Sequence, residues 1–362
     1  MKKTKFYNVH KKLGAKIIEY AGFEMPVQYS SIIVEHKAVR NSVGLFDVSH
    51  MGEVFISGDS ALDFVQQITT NDASKLFPGR IQYSAMCYPD GGIVDDLLVY
   101  RLGEKEFMVV INAANTGKDF KWLNENNKVG AKLENLSDEY SLLAVQGPNS
   151  KNVMKKLTDA DLDKLGYYHF VNAEIEGIEM ILSRTGYTGE LGYELYFKGD
   201  EEQAEKLWTK ILDAGKEYNI LPIGLAARDS LRLEKGYCLY GNDIDQTTNP
   251  LEAGLGWITK LDKENFIGKE ALLKIKSEGL KRKLSGMIST DKVFPRHGYE
   301  IDSKGKKIGS VTSGTVSPVL EKPIALGYLE TNYTSPGTKV EISIREKKVS
   351  CEVVKLPFVV NN

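Results

Sequence analysis

Apolar and polar positions fall into three textures along the 362-residue chain. Between residues 53 and 140 strand-like and helix-like periods take turns. Glu53–Ser57 alternates as a strand. Ser60–Ile68 repeats as a helix, with Ser60 at the N-cap and Asp63 three residues on. Ile81–Tyr88 and Ile93–Leu102 flank Pro89-Asp90-Gly91-Gly92, which predicts a β-hairpin. Glu106–Asn112 predicts another strand and Thr116–Asn126 a helix. Residues 141–278 continue the mixture, with strands at Ser141–Gln146, Glu176–Ser183 and Gly192–Phe197. Helices are predicted at Glu201–Tyr218, capped by Asp200, at Gly224–Glu234 and at Gly268–Ser277. Ser277–Lys283 is polar and broken by Gly279, as suits a linker. Beyond Lys283 turn signals recur every ten residues or so: Ser303-Lys304-Gly305, Ser313-Gly314, Ser335-Pro336-Gly337 and Glu346-Lys347-Lys348. Short β-branched runs between them predict an all-β barrel or sandwich of about 80 residues.

Composition narrows the class. At about 150 residues per domain the length allows two to three domains. Lys+Arg is 47 and Asp+Glu is 49, so the formal charge is −2. That disfavours bulk electrostatic binding to nucleic acid or an anionic membrane. No apolar run approaches the roughly 20 residues that span a bilayer. Lys2, Lys3 and Lys5 make the start basic, but no apolar h-region follows, so a secretory signal is not expected. Cys87, Cys238 and Cys351 are few and far apart, which points to a reducing, cytoplasmic setting. The five histidines show no metal-ligand spacing. Walker and G-x-G-x-x-G sequences are both absent, so nucleotide binding by those routes is not expected.

Three stretches carry candidate chemistry. Along Ile93–Leu102, Val94, Asp96, Leu98 and Tyr100 share one face, and Asp95, Leu97, Val99 and Arg101 the other. Both faces are largely apolar, so Asp96 needs a donor or a cation, or its pKa rises. It is either a structural ion-pair member or a functional carboxylate. In Arg184–Glu194, Gly186, Gly189 and Gly192 permit positive φ and close backbone approach. Tyr187, Tyr193 and Glu194 suit a planar heterocycle with an amidine edge, or else a plain tight hairpin. Arg228 and Arg232 stand four apart on one helix, an Arg fork or a solvated face. Tyr237 and Trp257 read as core bodies or as stacking platforms. His50 is either a base or a structural group, and Cys238 reads as inert packing.

Taken in order, these stretches resemble one family. Phe46-Asp47-Val48-Ser49-His50-Met51-Gly52, Thr70-Asn71-Asp72, Gly91-Gly92-Ile93-Val94-Asp95-Asp96-Leu97 and Ser183-Arg184-Thr185-Gly186-Tyr187-Thr188-Gly189-Glu190 look like the T-protein of the glycine cleavage system. Gly224–Glu234, Tyr240-Gly241-Asn242-Asp243 and Thr248-Asn249-Pro250 continue the match, which runs from about Gly14 to Phe358.

The resemblance implies an α+β multidomain folate-binding aminomethyltransferase fold. Its parts would be a discontinuous α+β domain (1–50 and 140–278), an α+β domain with the catalytic Asp (51–139) and a C-terminal β-barrel (279–362). It implies transfer of a one-carbon unit from the aminomethyl-dihydrolipoyl arm of H-protein to tetrahydrofolate, with release of ammonia. Tetrahydrofolate is a co-substrate, and no metal or nucleotide is implied. Asp96 is the implied catalytic residue, Glu194 the partner of the pterin amidine, and Arg228 a donor to polar groups of folate. Met51, Tyr83, Leu98, Tyr100, Asn112, Tyr187, Tyr237 and Trp257 are implied to line the cavity. Lys118 and Lys121 are candidates for a basic surface that meets the acidic carrier. One departure is the chain end: Lys355-Leu356-Pro357-Phe358-Val359-Val360 stops at Asn361-Asn362, where family members often carry a further folate contact.

Two relatives of other function define the alternatives. A folate-binding, non-transferase relative assists iron–sulfur protein maintenance and carries Lys-Gly-Cys…Gly-Gln-Glu. Here Lys235-Gly236-Tyr237-Cys238 leads to Gly241-Asn242-Asp243, and that ending with the Asp95-Asp96 pair favours the transferase. Demethylating flavoenzymes such as sarcosine or dimethylglycine oxidase carry an added flavin domain, whose dinucleotide fingerprint this sequence lacks.

Overall fold

The computed structural model describes residues 1–289, 291, 293–344 and 347–360. Glu346 of the last expected turn and the final Asn361-Asn362 lie outside the described residues. Fourteen strands precede the expected linker: β1 (Lys2–Lys3), β2 (Lys16–Tyr20), β3 (Phe23–Gln28), β4 (Gly44–Asp47), β5 (Gly52–Ser57), β6 (Ile81–Cys87), β7 (Ile93–Gly103), β8 (Glu106–Ile111), β9 (Lys132–Asn135), β10 (Tyr140–Gln146), β11 (Phe170–Ile175), β12 (Ile178–Ser183), β13 (Gly192–Lys198) and β14 (Leu221–Pro222). Interleaved helices are α1 (Tyr7–Lys12), α2 (Ile32–Asn41), α3 (Ala61–Ile68), α4 (Thr116–Asn126), α5 (Ser150–Met154), α6 (Glu201–Ala214), α7 (Leu225–Glu234) and α8 (Lys269–Glu278). The sheets run β1-β3-β2, β11-β12-β13-β10-β4-β14 and β6-β7-β8-β5-β9.

Downstream, β15 (Arg282–Ser289), β16 (Glu300–Ser303), β17 (Lys306–Ser317), β18 (Lys322–Glu330), β19 (Lys339–Ile344) and β20 (Lys347–Val354) close into a six-stranded barrel. Closure leaves no free edge, and alternation sends Met287, Ile301, Val311, Leu329, Val340, Ile342 and Val353 inward. The mixed α and β character and the closed barrel agree with the expected fold class.

The chain divides into two compact units. Unit 1 comprises Met1–Val65, Ala73–Tyr83 and Leu97–Asp229; unit 2 comprises Gln66–Asp72, Ser84–Asp96 and Ser230–Asn362. The core of unit 1 packs Phe6, Val43, Leu45, Leu143, Leu182, Leu195 and Phe197 against Leu207, Trp208 and Ile211 of α6. Helix α6 begins with a reciprocal cap, in which Asp200 accepts from Gln203 N and Gln203 accepts from Asp200 N. In unit 2, Leu233 packs on Ile324 and Leu326 of the barrel, with Leu356 and Phe358 beside them.

Local chemistry moves three expected boundaries. The predicted strand Glu176–Ser183 starts inside a turn: Glu176 and Gly177 hold φ of 54° and 77°, a two-residue hairpin that joins the unforeseen β11 to β12. The predicted helix Glu201–Tyr218 stops at Ala214 because Gly215 intervenes, and a 3₁₀ turn covers Lys216–Tyr218. The predicted linker is mostly structured, since α8 runs to Glu278 and β15 starts at Arg282.

Candidate functional site

The expected residues form one group in each unit. In unit 2 the group is built on the start of β7. Gly92 lies against the Gln246 carbonyl so closely that a Cβ has no room. Ile93 N donates to the Asp245 and Thr248 carbonyls (3.2 and 3.0 Å), and the Tyr240 hydroxyl donates to the Ile93 carbonyl (3.1 Å). The first residue of β7 is thereby clamped, and alternation fixes the faces that follow. Asp95 is fully buried and Asp96 half-buried.

A buried ion pair holds the neighbouring loop. Arg232 donates to Asp243 Oδ2 at 2.5 Å, to the Tyr237 carbonyl at 2.9 Å and to Ser313 Oγ at 2.8 Å. Asp243 also accepts from Leu239 N (3.0 Å) and Thr312 Oγ1 (2.5 Å). Tyr237 and Cys238 sit on this loop. Burial, then the charges of Asp243 and Asp96, push the Cys238 thiol well above its usual range, as inert packing requires. Trp257 departs from the core reading: it stands on a 3₁₀ turn with 62% of its surface exposed. The chain end lies along α7, with Val359 N donating to the Glu234 carbonyl and Lys235 Nζ to the Val359 carbonyl.

Sequence reasoning missed Lys263 in this unit. Its ammonium donates to the Thr69 and Asn71 carbonyls (2.6 and 2.8 Å), and burial lowers its pKa to about 7. It pins the Thr70-Asn71 turn, and Thr70 Oγ1 in turn donates to the Ile258 carbonyl beside Trp257.

In unit 1 the group is built on Glu194. Thr185 Oγ1 donates to Glu194 Oε2 at 2.5 Å and the Tyr196 hydroxyl at 3.5 Å. The Tyr100 hydroxyl donates to Tyr196 (3.0 Å) and shares a hydrogen bond with Ser183 Oγ (3.2 Å). Burial raises the Glu194 carboxyl, opposed by Thr185, Arg228 and Tyr196. The Arg228 guanidinium lies 4.5 Å from the Tyr187 ring centre, a cation–π contact. Tyr196, Ser183 and Thr185 were also missed. Their signal was available, since Tyr196 is two residues from Glu194 on β13 and Ser183 two from Thr185.

The glycines have a more specific cause than expected. Only Gly189 of the three takes positive φ (73°). Gly186 and Gly192 instead enclose the side chain of Gln146, where a Cβ on either has no room. Gln146 donates to the Thr185 carbonyl (3.1 Å) and accepts from Thr188 Oγ1 (2.9 Å), so it braces the loop that carries Tyr187.

Register places the remaining residues of unit 1. Leu98 pairs with Val110 and Tyr100 with Met108, while Gly52 pairs with Ile111. Met51 and Asn112 thus flank the end of the β5–β8 pair, both half-buried, and Tyr83 is half-buried on β6. His50 is buried, edge-on to Tyr20 with ring centres 5.5 Å apart, and its Nδ1 has no hydrogen-bond partner among the described residues. Burial and the Arg228 charge lower its pKa to about 3, so it stays neutral.

Among the described residues no group of three His, Cys, Asp or Glu is placed to hold a metal ion, and no helix is long and apolar enough to cross a membrane.

Known proteins resemble this arrangement throughout. The model of the GCVT N-terminal domain matches residues 6–263, and that of the glycine cleavage T-protein C-terminal barrel domain matches residues 282–359. An aminomethyltransferase of Halothermothrix orenii is 53% identical over 359 residues, covering 99% of this chain and 100% of the relative. One of Bacillus subtilis is 48% identical over 360 residues, 99% of each chain. The solved glycine cleavage system aminomethyltransferase T from Bartonella henselae superposes with a TM-score of 0.92 at 35% identity, covering 99% of this chain and 98% of that one.

Proposed function

Because this chain belongs to the glycine cleavage T-protein family of aminomethyltransferases, we propose that it moves a one-carbon unit from an aminomethylated dihydrolipoyl carrier to tetrahydrofolate. The enzyme is a folate-dependent transferase of glycine cleavage. The carrier is the lipoylated H-protein. The products are 5,10-methylenetetrahydrofolate, ammonia and the reduced lipoyl arm. Two folate N–H protons balance the reaction: one goes to the departing amine and one to the sulfur.

Asp96 is the central residue of this reading, and the clamp on Ile93 at the start of β7 is the observation that supports it. As the bonds to amine and sulfur are exchanged for bonds to folate nitrogen, the one-carbon unit becomes positive, and iminium-like once a folate nitrogen holds it. A carboxylate fixed on a strand stabilises that charge without reorganising, and it can pass a proton between folate nitrogen and leaving group. Glu194 pairs with the pterin amidine through two hydrogen bonds, and Thr185 and Tyr196 keep its carboxylate aimed. Arg228, held over Tyr187, donates to polar groups of the ligand. Met51, Tyr83, Leu98, Tyr100, Asn112, Tyr237 and Trp257 complete the lining. In this reading the chain works as three parts, 1–50 with 140–278, 51–139, and 279–362.

The test is ammonia release from aminomethylated H-protein. Release that depends on both tetrahydrofolate and this protein supports the reading. Release that is unchanged when either is left out refutes it.

A further inference from the structure

One buried carboxyl of unit 1 has no place in this scheme. Glu53 is 1% exposed, and its Oε1 has no hydrogen-bond partner among the described residues. A buried carboxyl without donors is costly, and it avoids ionisation by keeping its proton. Burial alone drives the Glu53 pKa well above the usual range, and no cation offsets it.

The register shows where this acid lies. Glu53 pairs with Val110 on β8, and Val110 pairs with Leu98 on β7, so the three side chains form one row across one face of the sheet. The next row is Phe55, Met108 and Tyr100. That face meets the six-stranded sheet, because Phe55 stacks on Tyr140 (5.4 Å) and Tyr100 reaches Tyr196 and Ser183. Met51 stands two residues before Glu53 along the same side. Glu53 is therefore set among the residues assigned to the folate lining.

The groups that face it are few. Tyr140 of β10 and Tyr196 of β13 both feel its charge, and Tyr196 also bonds Glu194. Tyr100 comes from β7. The β-ladder neighbours on β8 and β9 are Val110 and, beside Val54, Asn135, neither of them charged. Arg228 acts on Glu194 and His50, and His50 is neutral. Two carboxyls thus flank one phenol network. Glu194 has donors and a cation; Glu53 has neither. Ionising both at once is disfavoured until more positive charge arrives.

We propose that Glu53 is a reserve carboxyl of the folate site: neutral in the free protein, it releases its proton to solvent when a cationic one-carbon folate binds, and its carboxylate then helps position that charge. The step is an acid dissociation, –COOH to –COO⁻ plus a solvated proton, with no bond in the ligand changed. It rests on the folate reading above. Glu53 acts as a positioning residue through the Tyr196 network.

The probe is 5,10-methenyltetrahydrofolate, a formamidinium cation, compared with uncharged-ring tetrahydrofolate; water adds to this cation near neutral pH with release of a proton, so the proton count of a protein-free blank is subtracted. Each is titrated calorimetrically at about pH 7 in two buffers of different ionisation enthalpy, which counts the protons released. The full-length protein is expected to release a substantial fraction of one proton with the cation and none with tetrahydrofolate. Glu53→Gln is expected to release none and to bind the cation about tenfold more weakly, the equivalent of one pKa unit of coupling, while its tetrahydrofolate affinity stays within about twofold. No proton release by the unsubstituted protein, or equal release by Glu53→Gln, overturns the proposal, and the first arm needs no variant to fold. Failure of the unsubstituted protein to bind either folate instead overturns the folate reading beneath it.

Discussion

Replacing Arg232 by Leu removes one end of the buried pair that anchors the Tyr237 loop. Arg232 is 1% exposed and donates to Asp243 at 2.5 Å, to the Tyr237 carbonyl at 2.9 Å and to Ser313 at 2.8 Å. The substitution leaves Asp243 charged, buried and without its cation. Breaking such a pair from one side costs roughly 3–5 kcal/mol. The lower end, about 3 kcal/mol, applies here because Asp243 keeps Thr312 and Leu239 N as donors. With a urea slope of roughly 2–3 kcal/mol/M, the unfolding midpoint falls by about 1–1.5 M. Adding Asp243→Asn neutralises the stranded charge and recovers roughly 1–2 kcal/mol. Both variants are measured by urea denaturation followed by circular dichroism. A midpoint shift below about 0.2 M for Arg232→Leu, or a double variant no more stable than the single, refutes the reasoning.

Further expectations follow from local surroundings. His50 is neutral in the folded protein but titrates near 6.5 when unfolded, so its contribution is complete above about pH 6.5 and drains away as pH falls toward about 3. Between about pH 6.5 and 4.5 the unsubstituted protein should lose about 2–3 kcal/mol more than His50→Gln, and parallel pH curves for the two would count against this. Asp47, which burial would raise but bonds to His10, Thr4 and Ser49 hold low, contributes above its unfolded pKa of about 4, so its loss begins only below that, after most of the His50 loss. Thr185→Val strips the short bond from Glu194 and should move the acid limb of tetrahydrofolate binding up by about one pH unit; an unmoved limb means Glu194 does not bind as a carboxylate. Charge reversal at Lys118 and Lys121 on α4 should raise KM for the carrier several-fold at low salt with kcat unchanged, and a KM that ignores salt would move the docking surface elsewhere.

Much of the architecture was legible because its signals are local. The Pro89–Gly92 turn between two alternating runs announced the β6–β7 hairpin, and the turns beyond Lys283 announced an all-β domain, barrel or sandwich, which the strand pairing closes as a barrel. Alternation alone put Asp96, Leu98 and Tyr100 on one side of β7. Less legible was whatever depends on residues distant in sequence. Nothing near Gly186 or Gly192 says that the Gln146 side chain must pass between them. Nothing near Gly92 says that the Gln246 carbonyl presses against it. Glu53 reads as the polar member of an amphipathic strand, and only its pairing with Val110 shows it facing the interior. Trp257 ran the other way: a large apolar body predicts burial, yet its 3₁₀ turn holds it out toward solvent.

The central claim is that Asp96 carries the chemistry while other groups hold the folate. Its most direct test is Asp96→Asn, assayed for transfer from aminomethylated H-protein to tetrahydrofolate and, in parallel, for tetrahydrofolate affinity. Loss of one preorganised charge costs about 10²–10³-fold in kcat. The predicted result is a transfer rate reduced by at least that much, with affinity within a few-fold of the unsubstituted protein. Transfer at an undiminished rate would contradict the account.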